Sequence, residues 1–343
     1  MRPRPLLGNM TDLFQFDRTV ANKLLMRVRT AAKLALVMSM NLALAVSAAQ
    51  GQDSENVVRV ETELAVFEVA VSDKKGKPVR NLDVRDLQIL EDGVERPIEF
   101  FEPIRSTGVR RPLVIVFALD VSGSMTSDEM ERLKAAMQSF IARLADYNSY
   151  FAVVSFAMDV RTLQSFTNRP DKLRAAFEKL DRESDGLSTH AYDAVDMSIR
   201  LLRKNAPKVI RESYPKRAVI LITDGFPVGD VVRPETVVER ANLAEASVYA
   251  VILPSYSNVL GKNKPVLTPL EVSGLVERTG GKSFFATEKN FEQLFTDLSE
   301  EITGSYAVAF YPGPKGDEKP RNVRISSKRG HIVRQNRGTL IVR

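Results

Sequence analysis

Asp120, Ser122 and Ser124 are spaced i, i+2, i+4, and in extended chain such positions project to one side. One carboxylate and two hydroxyls can therefore converge on a single point, with Gly123 between the serines allowing a sharp turn. Hard oxygen donors of this kind suit Mg²⁺, Mn²⁺ or Ca²⁺ rather than zinc. The 343 residues contain no cysteine, which excludes a disulfide framework, a zinc–thiolate centre and a thiol nucleophile. Only two histidines exist, His190 and His331. A serine hydrolase needs a base beside its serine, and G-x-S-x-G is not met around Ser122 or Ser124. No G-x-x-x-x-G-K-[ST] and no strand-linked G-x-G-x-x-G is present. No catalytic residue is assigned, and the expectation is a binding protein rather than an enzyme.

The element that must position Asp120 is the apolar run over 113–119, rich in β-branched and aromatic residues and bounded by the aspartate. It reads as a strand buried on both faces. After it the period changes. Thr126 to Glu129 fits a capping box, and Met130, Leu133, Met137, Phe140, Ile141 and Leu144 recur at helical spacing. Further strands are expected at 150–157, 218–223, 248–253 and 283–286, and helices at 171–180, 191–203, 234–246, 270–279 and 291–302. Such alternation predicts an α/β fold, a doubly wound, mostly parallel sheet, over 111–303. Ligands of these sheets lie beyond the carboxyl ends of the strands. Asp120 and Asp224 both stand there.

Small β segments flank this domain. One occupies 49–110, with strands expected within 57–71, at 87–90 and at 98–101, and a tight turn at 91–93. The other is the C-terminal β segment 304–343, with strands expected at 305–311, 322–326, 331–334 and 339–342. Neither is large enough to bury much alone. The expectation is one composite β domain with the α/β domain inserted into it.

Residues 26–48 read as a signal peptide. Arg27, Arg29 and Lys33 precede an uncharged apolar stretch over 34–46, and Val46-Ser47-Ala48 resembles a cleavage site. Met26 is then the expected initiator and 1–25 a mis-assigned start. The chain is expected to be secreted or periplasmic, with no stable membrane span once the leader is cleaved. The formal net charge is +6, but residues 1–48 carry seven Lys/Arg against two Asp/Glu. The remainder is close to neutral, so the charge does not point to nucleic acid.

With these elements in place, Asp120-Val121-Ser122-Gly123-Ser124 resembles the metal-ion-dependent adhesion site (MIDAS) of von Willebrand factor type A (VWA) domains. Two further motifs agree. Gly186-Leu187-Ser188-Thr189-His190-Ala191-Tyr192-Asp193-Ala194 places Thr189 in the second loop, four residues before an Asp-Ala at a helix start. Leu221-Ile222-Thr223-Asp224-Gly225 supplies an aspartate after a buried strand. Family members often read Gly-Gly-Thr in the second loop where this chain reads Leu187-Ser188-Thr189, which costs backbone freedom but no ligand. The resemblance implies that Asp120, Ser122, Ser124, Thr189 and Asp224 hold one divalent ion, Mg²⁺ or else Mn²⁺ or Ca²⁺. It further implies a coordination position open to an acidic side chain of a partner protein or matrix component. Gly123, Met125, His190 and Gly225 would form the partner-binding rim. The front segment VSDKKGKPVRNLDVRDLQILEDG and the tail segment YAVAFYP also resemble a secreted VWA-related subgroup noted in Acidobacteria. The alternative function is a structural, scaffolding envelope protein whose site is not used, with a hydrolase as the third reading.

Overall fold

The computed structural model describes residues 64–104, 110–123, 126–180, 188–253, 256–259, 262–265, 267–287, 290–314 and 319–340. The expected leader, the residues 57–63, Gly186, Leu187, Ser124 and Met125 lie outside the described residues. Among the described residues no helix is long and apolar enough to cross a membrane.

The front of the chain gives β1 (Ala65–Ser72), a short 3-10 turn (Val84–Asp86), β2 (Leu87–Glu91), β3 (Val94–Arg96) and β4 (Phe100–Pro103). The expected strand over 98–101 is thus displaced. Pro97 lacks an N–H to donate, so the β2–β3 hairpin ends before it and a new strand starts after it.

The inserted part runs β5 (Leu113–Asp120), α1 (Ser127–Arg143), β6 (Tyr150–Phe156), β7 (Val160–Thr167), α2 (Pro170–Glu178), α3 (Ala191–Lys204) and β8 (Lys216–Thr223). It continues with α4 (Pro234–Leu243), β9 (Ala246–Ile252), β10 (Tyr256–Val259), β11 (Lys262–Pro265), α5 (Pro269–Val272), α6 (Leu275–Arg278), β12 (Ser283–Phe285) and α7 (Phe291–Thr303). The tail supplies β13 (Tyr306–Phe310), β14 (Arg321–Ser327), β15 (Ile332–Gln335) and β16 (Thr339–Leu340).

Six strands form one sheet in the order β12-β9-β8-β5-β6-β7, all parallel except β7. The two-residue side-chain period of β5 feeds both faces. Leu113, Ile115, Phe117 and Leu119 pack with α1, α2 and α7, whereas Val114, Val116 and Ala118 pack with α3, α4, α5 and α6. The chain moves from β5 outward to β6 and β7, then returns through α3 to β8 on the other side of β5. The reversal places the sheet's switch point between β5 and β8, where ligand crevices form in such folds.

Three departures from the sequence expectations have local causes. The edge strand β7 and the β10–β11 hairpin carry no clear apolar alternation, so periodicity does not reveal them. The helix expected over 270–279 is two short helices, because Gly274 sits between them in the left-handed conformation (φ 65°).

The flanking segments form two four-stranded antiparallel sheets, β15-β1-β13-β4 and β16-β14-β2-β3. Each sheet takes strands from both ends of the chain, as β1 pairs with β13 and β15, and β2 with β14. Phe67, Val69, Leu87, Ile89, Val308, Phe310, Val323 and Ile325 make their shared core. This is the composite β domain. The α/β chain enters and leaves it at neighbouring points, where the Ile104 amide donates to the Ser305 carbonyl at 3.0 Å.

Candidate functional site

Asp120 closes β5 and is buried, and Asp224 follows β8 directly. Because β5 and β8 are parallel neighbours, both carboxylates emerge at the switch point. Asp120 is held on both oxygens. Oδ1 accepts the Ser122 amide at 3.0 Å, and Oδ2 accepts the Thr223 hydroxyl at 2.7 Å. The Thr223 oxygen in turn accepts the Gly225 amide at 3.1 Å. Asp224 Oδ1 accepts the Phe226 amide at 3.0 Å. Thr223 escaped the sequence argument. Its signal was available, as a hydroxyl ending an otherwise apolar strand beside the aspartate.

Gly225 has φ 84°, and a Cβ there would stand 2.7 Å from the Thr268 hydroxyl oxygen. A side chain at this position would be strained and would push the loop off Thr268. The exit of the first loop is fixed by the expected capping box: Thr126 Oγ1 accepts the Glu129 amide at 3.2 Å, and Glu129 Oε2 accepts the Thr126 amide at 2.7 Å.

The second loop is stitched to the third. Thr189 is buried and exchanges two backbone hydrogen bonds of 2.9 Å with Val228, four residues beyond Asp224. The His190 amide donates to the Ala157 carbonyl at 3.1 Å, tying the same loop to the end of β6. The His190 ring is held by a neighbouring side chain. Its Nδ1 lies 3.0 Å from Asp193 Oδ2, and a Cβ on Gly229 would stand 3.0 Å from its Nε2. Asp193 accepts the amides of Val231 and Val232 at 3.0 and 2.8 Å, and its own amide donates to Asp230 Oδ1 at 2.8 Å. It therefore holds the 228–232 loop in place.

Of the residues expected at the site, Asp120, Ser122, Gly123, Thr189, His190, Asp224 and Gly225 are brought to these three loops, while Ser124 and Met125 lie outside the described residues. Burial pushes the Asp120 carboxyl above the usual carboxylate range, against the pull of the Ser122 and Thr223 donors, and the negative charge of Asp224 adds to the rise. Burial raises Asp224 as well. Two desolvated carboxylates that repel each other form a donor set that a divalent cation relieves. Among the described residues no group of three or more His, Cys, Asp or Glu side chains gathers as a metal cluster. Asp120 and Asp224, with the hydroxyl-bearing Ser122 and Thr189 on the neighbouring loops, are hard oxygen donors of the kind a divalent cation takes.

Asp230 titrates beside this site. Burial, with the nearby charge of Asp193 adding to it, raises its carboxyl to about 6, and its Oδ2 is buried without a hydrogen-bond partner. A raised folded-state value means that the group favours the fold below its unfolded value near 4 and loses that contribution as pH rises through about 6. Asp230→Asn keeps the acceptor for the Asp193 amide and removes the charge. We expect its unfolding midpoint to exceed that of the unaltered protein at pH 7.5 and to match it at pH 4, measured by thermal melts at both values.

Residues 115–226 match the family model of the von Willebrand factor type A domain. That segment contains Asp120, Ser122, Ser124, Thr189 and Asp224. Inter-alpha-trypsin inhibitor heavy chain H3 of Bos taurus is 27% identical over 186 residues, which are 53% of this chain and 20% of that protein. The same heavy chain of Mus musculus is 27% identical over 188 residues with the same coverage. The chain thus spans about a fifth of the length of the curated relatives it matches. Among solved structures, the conserved hypothetical protein BatB from Bacteroides thetaiotaomicron aligns with 56% of this chain and 97% of its own at 20% identity, with a TM-score of 0.41. Proximal thread matrix protein 1 of the mussel byssus, solved with a zinc occupied MIDAS motif, aligns with 60% of this chain and 48% of its own at 17% identity, with a TM-score of 0.45. The stretch 115–226, which carries the central strands and both switch-point carboxylates, is thus the part of the chain that resembles the von Willebrand factor type A domain.

Proposed function

We propose that this protein is a non-enzymatic, metal-dependent binding module that works outside the cytoplasm. Asp120 and Asp224 would hold one divalent cation together with the hydroxyls of Ser122, Ser124 and Thr189. Mg²⁺ is the first choice, and Mn²⁺ and Ca²⁺ suit the same oxygen donors. The observation that carries this reading is the pair of desolvated carboxylates at the mouths of adjacent central strands, with the Thr189 loop hydrogen-bonded alongside. The bound cation supplies Lewis acidity that two carboxylates leave partly unspent, and so attracts an acidic side chain of a protein partner. The chain's own residues orient and desolvate the site. Thr223 and the Ser122 amide fix the Asp120 carboxylate, and Gly225 lets the Asp224 loop lie against Thr268.

The test is a set of thermal melts in chelator, Mg²⁺, Mn²⁺ and Ca²⁺. An ion that binds only the folded state raises the midpoint by mass action, by about 2.7 kcal/mol of stability at roughly a hundredfold excess over Kd. A midpoint rise with at least one of these ions is expected. Identical melts in chelator and in all three ions at millimolar concentration would overturn the proposal.

A further inference from the structure

We infer that the hairpin over 208–214, with the end of α3 beside it, is a docking surface for an anionic phospholipid membrane. It lies at the opposite end of the central sheet from the cation site, and the inference stands apart from the metal-bridged reading.

The stretch 203–214, RKNAPKVIRESY, sets four cations against one carboxylate. The Arg203, Lys204, Lys208 and Arg211 side chains are exposed, and none forms an ion pair among the described residues. Arg203 and Lys204 close α3, where cations suit the negative end of a helix. Lys208 and Arg211 stand beyond it, so the helix does not account for them.

The turn is built at a steric cost. Ile210 and Ser213 exchange two backbone hydrogen bonds of 3.0 Å, which closes a two-residue hairpin. Its central residues, Arg211 and Glu212, have φ 46° and 66°. Such turns ordinarily take Asn and Gly, because other side chains are crowded in the left-handed region. Strain of this kind gathers where a residue serves something other than the fold. Here it sets a cation at the tip. The two-residue period sorts the flanking side chains. Ile210 is buried, so Val209 and, across the hairpin, Tyr214 face outward, and they are 50% and 73% exposed. The Tyr214 carbonyl accepts the Arg111 Nε–H at 2.7 Å, which anchors the base of the hairpin.

Charge and apolar area together select the occupant. An anionic bilayer attracts the cations over about a Debye length. Its headgroup layer takes an aromatic ring and a small apolar side chain beside them. An acidic polysaccharide would satisfy the cations and leave Val209 and Tyr214 in water. The hairpin leads into β8, whose far end adjoins Asp224. The eight residues of β8 span about 26 Å, so a chain docked through the hairpin holds its cation site clear of the lipid.

The experiment uses the full chain in chelator, so that no cation bridges protein and lipid. The chain has no tryptophan, and Tyr214→Trp places a single indole on the outer face of the hairpin. Its emission is expected to move to shorter wavelength with vesicles of phosphatidylglycerol and phosphatidylcholine, and to stay unchanged with phosphatidylcholine alone. Adding Lys208→Glu and Arg211→Glu is expected to raise the lipid concentration at half-shift about tenfold or more. Adding Arg203→Glu and Lys208→Glu instead leaves the strained turn untouched and is expected to weaken binding likewise, and thermal melts check that both variants fold. No shift with the anionic vesicles, an equal shift with neutral ones, or an unaltered half-shift in a folded charge-reversed variant would overturn the proposal. Binding of dextran sulfate with no response to vesicles also overturns it and assigns the patch to an acidic polysaccharide.

Discussion

Replacing Arg111 by alanine is expected to cost about 3–5 kcal/mol of stability, the scale for breaking a buried ion pair by removing one partner. Arg111 is 4% exposed and its Nη2 lies 2.5 Å from Oε1 of Glu68, itself 6% exposed. Its Nε donates to the Tyr214 carbonyl at 2.7 Å. Glu68 belongs to β1 of the composite β domain, and Tyr214 leads into β8 of the α/β domain. One side chain therefore joins the two at the point where the inserted chain begins. Arg111→Ala leaves the Glu68 charge buried with no counter-ion. The double variant Arg111→Leu, Glu68→Met removes both charges, and it is expected to recover most of the loss. The pair is not fully satisfied as it stands, because Glu68 Oε2 and Arg111 Nη1 have no hydrogen-bond partner. The chain contains no tryptophan, so the measurement is urea denaturation followed by far-UV circular dichroism. A single variant as stable as the unaltered protein would show that this pair does not join the domains. The same contact region includes Lys216, whose Nζ donates to Ser305 Oγ at 2.5 Å and Tyr249 Oη at 3.0 Å, and the ion pair of Arg334 with Glu301.

Asp120→Asn is expected to abolish the cation-induced rise of the melting midpoint. The sign in chelator is the opposite of a simple loss. The folded-state Asp120 carboxyl is raised, chiefly by burial. Its contribution is present below the unfolded value near 4 and declines as pH rises through the raised folded value. In chelator the unaltered protein should therefore lose stability from about pH 4 toward neutrality, and Mg²⁺ should return it, because the cation replaces the proton on the buried carboxylate. The variant should show a shallower decline and no return. Asp224 and Asp230 keep part of the decline in place, since both are raised by burial too. Asp120→Ala should also lose the cation response and in addition leaves the Thr223 hydroxyl without its acceptor. Melts across pH with and without Mg²⁺ measure all of this. A variant that keeps the full cation response would remove Asp120 from the site.

The α/β alternation was legible because buried parallel strands and amphipathic helices differ in period, and the run 113–119 with its terminal Asp120 carried that signal in full. The capping box at Thr126 and Glu129 was equally local, since all its atoms lie within four residues. The same local rules missed β7, the β10–β11 hairpin and the Gly274 break, where polar edge strands and a single glycine leave no periodic trace.

The candidate site divides along the same line. Residue type and strand-end position singled out Asp120, Ser122 and Asp224 from sequence, because hard oxygen donors at the carboxyl ends of strands are a local pattern, whereas Thr189 came only from the resemblance of its loop to a family motif. Only tertiary structure put β5 beside β8, stitched Thr189 to Val228, aimed Thr223 at Asp120 and turned His190 onto Asp193. It alone also paired β1 with β13 and β15 across more than two hundred residues, making one β domain from the two ends. Those outcomes depend on pairings between distant segments, and a segment's own composition fixes which face it buries but not which partner buries it.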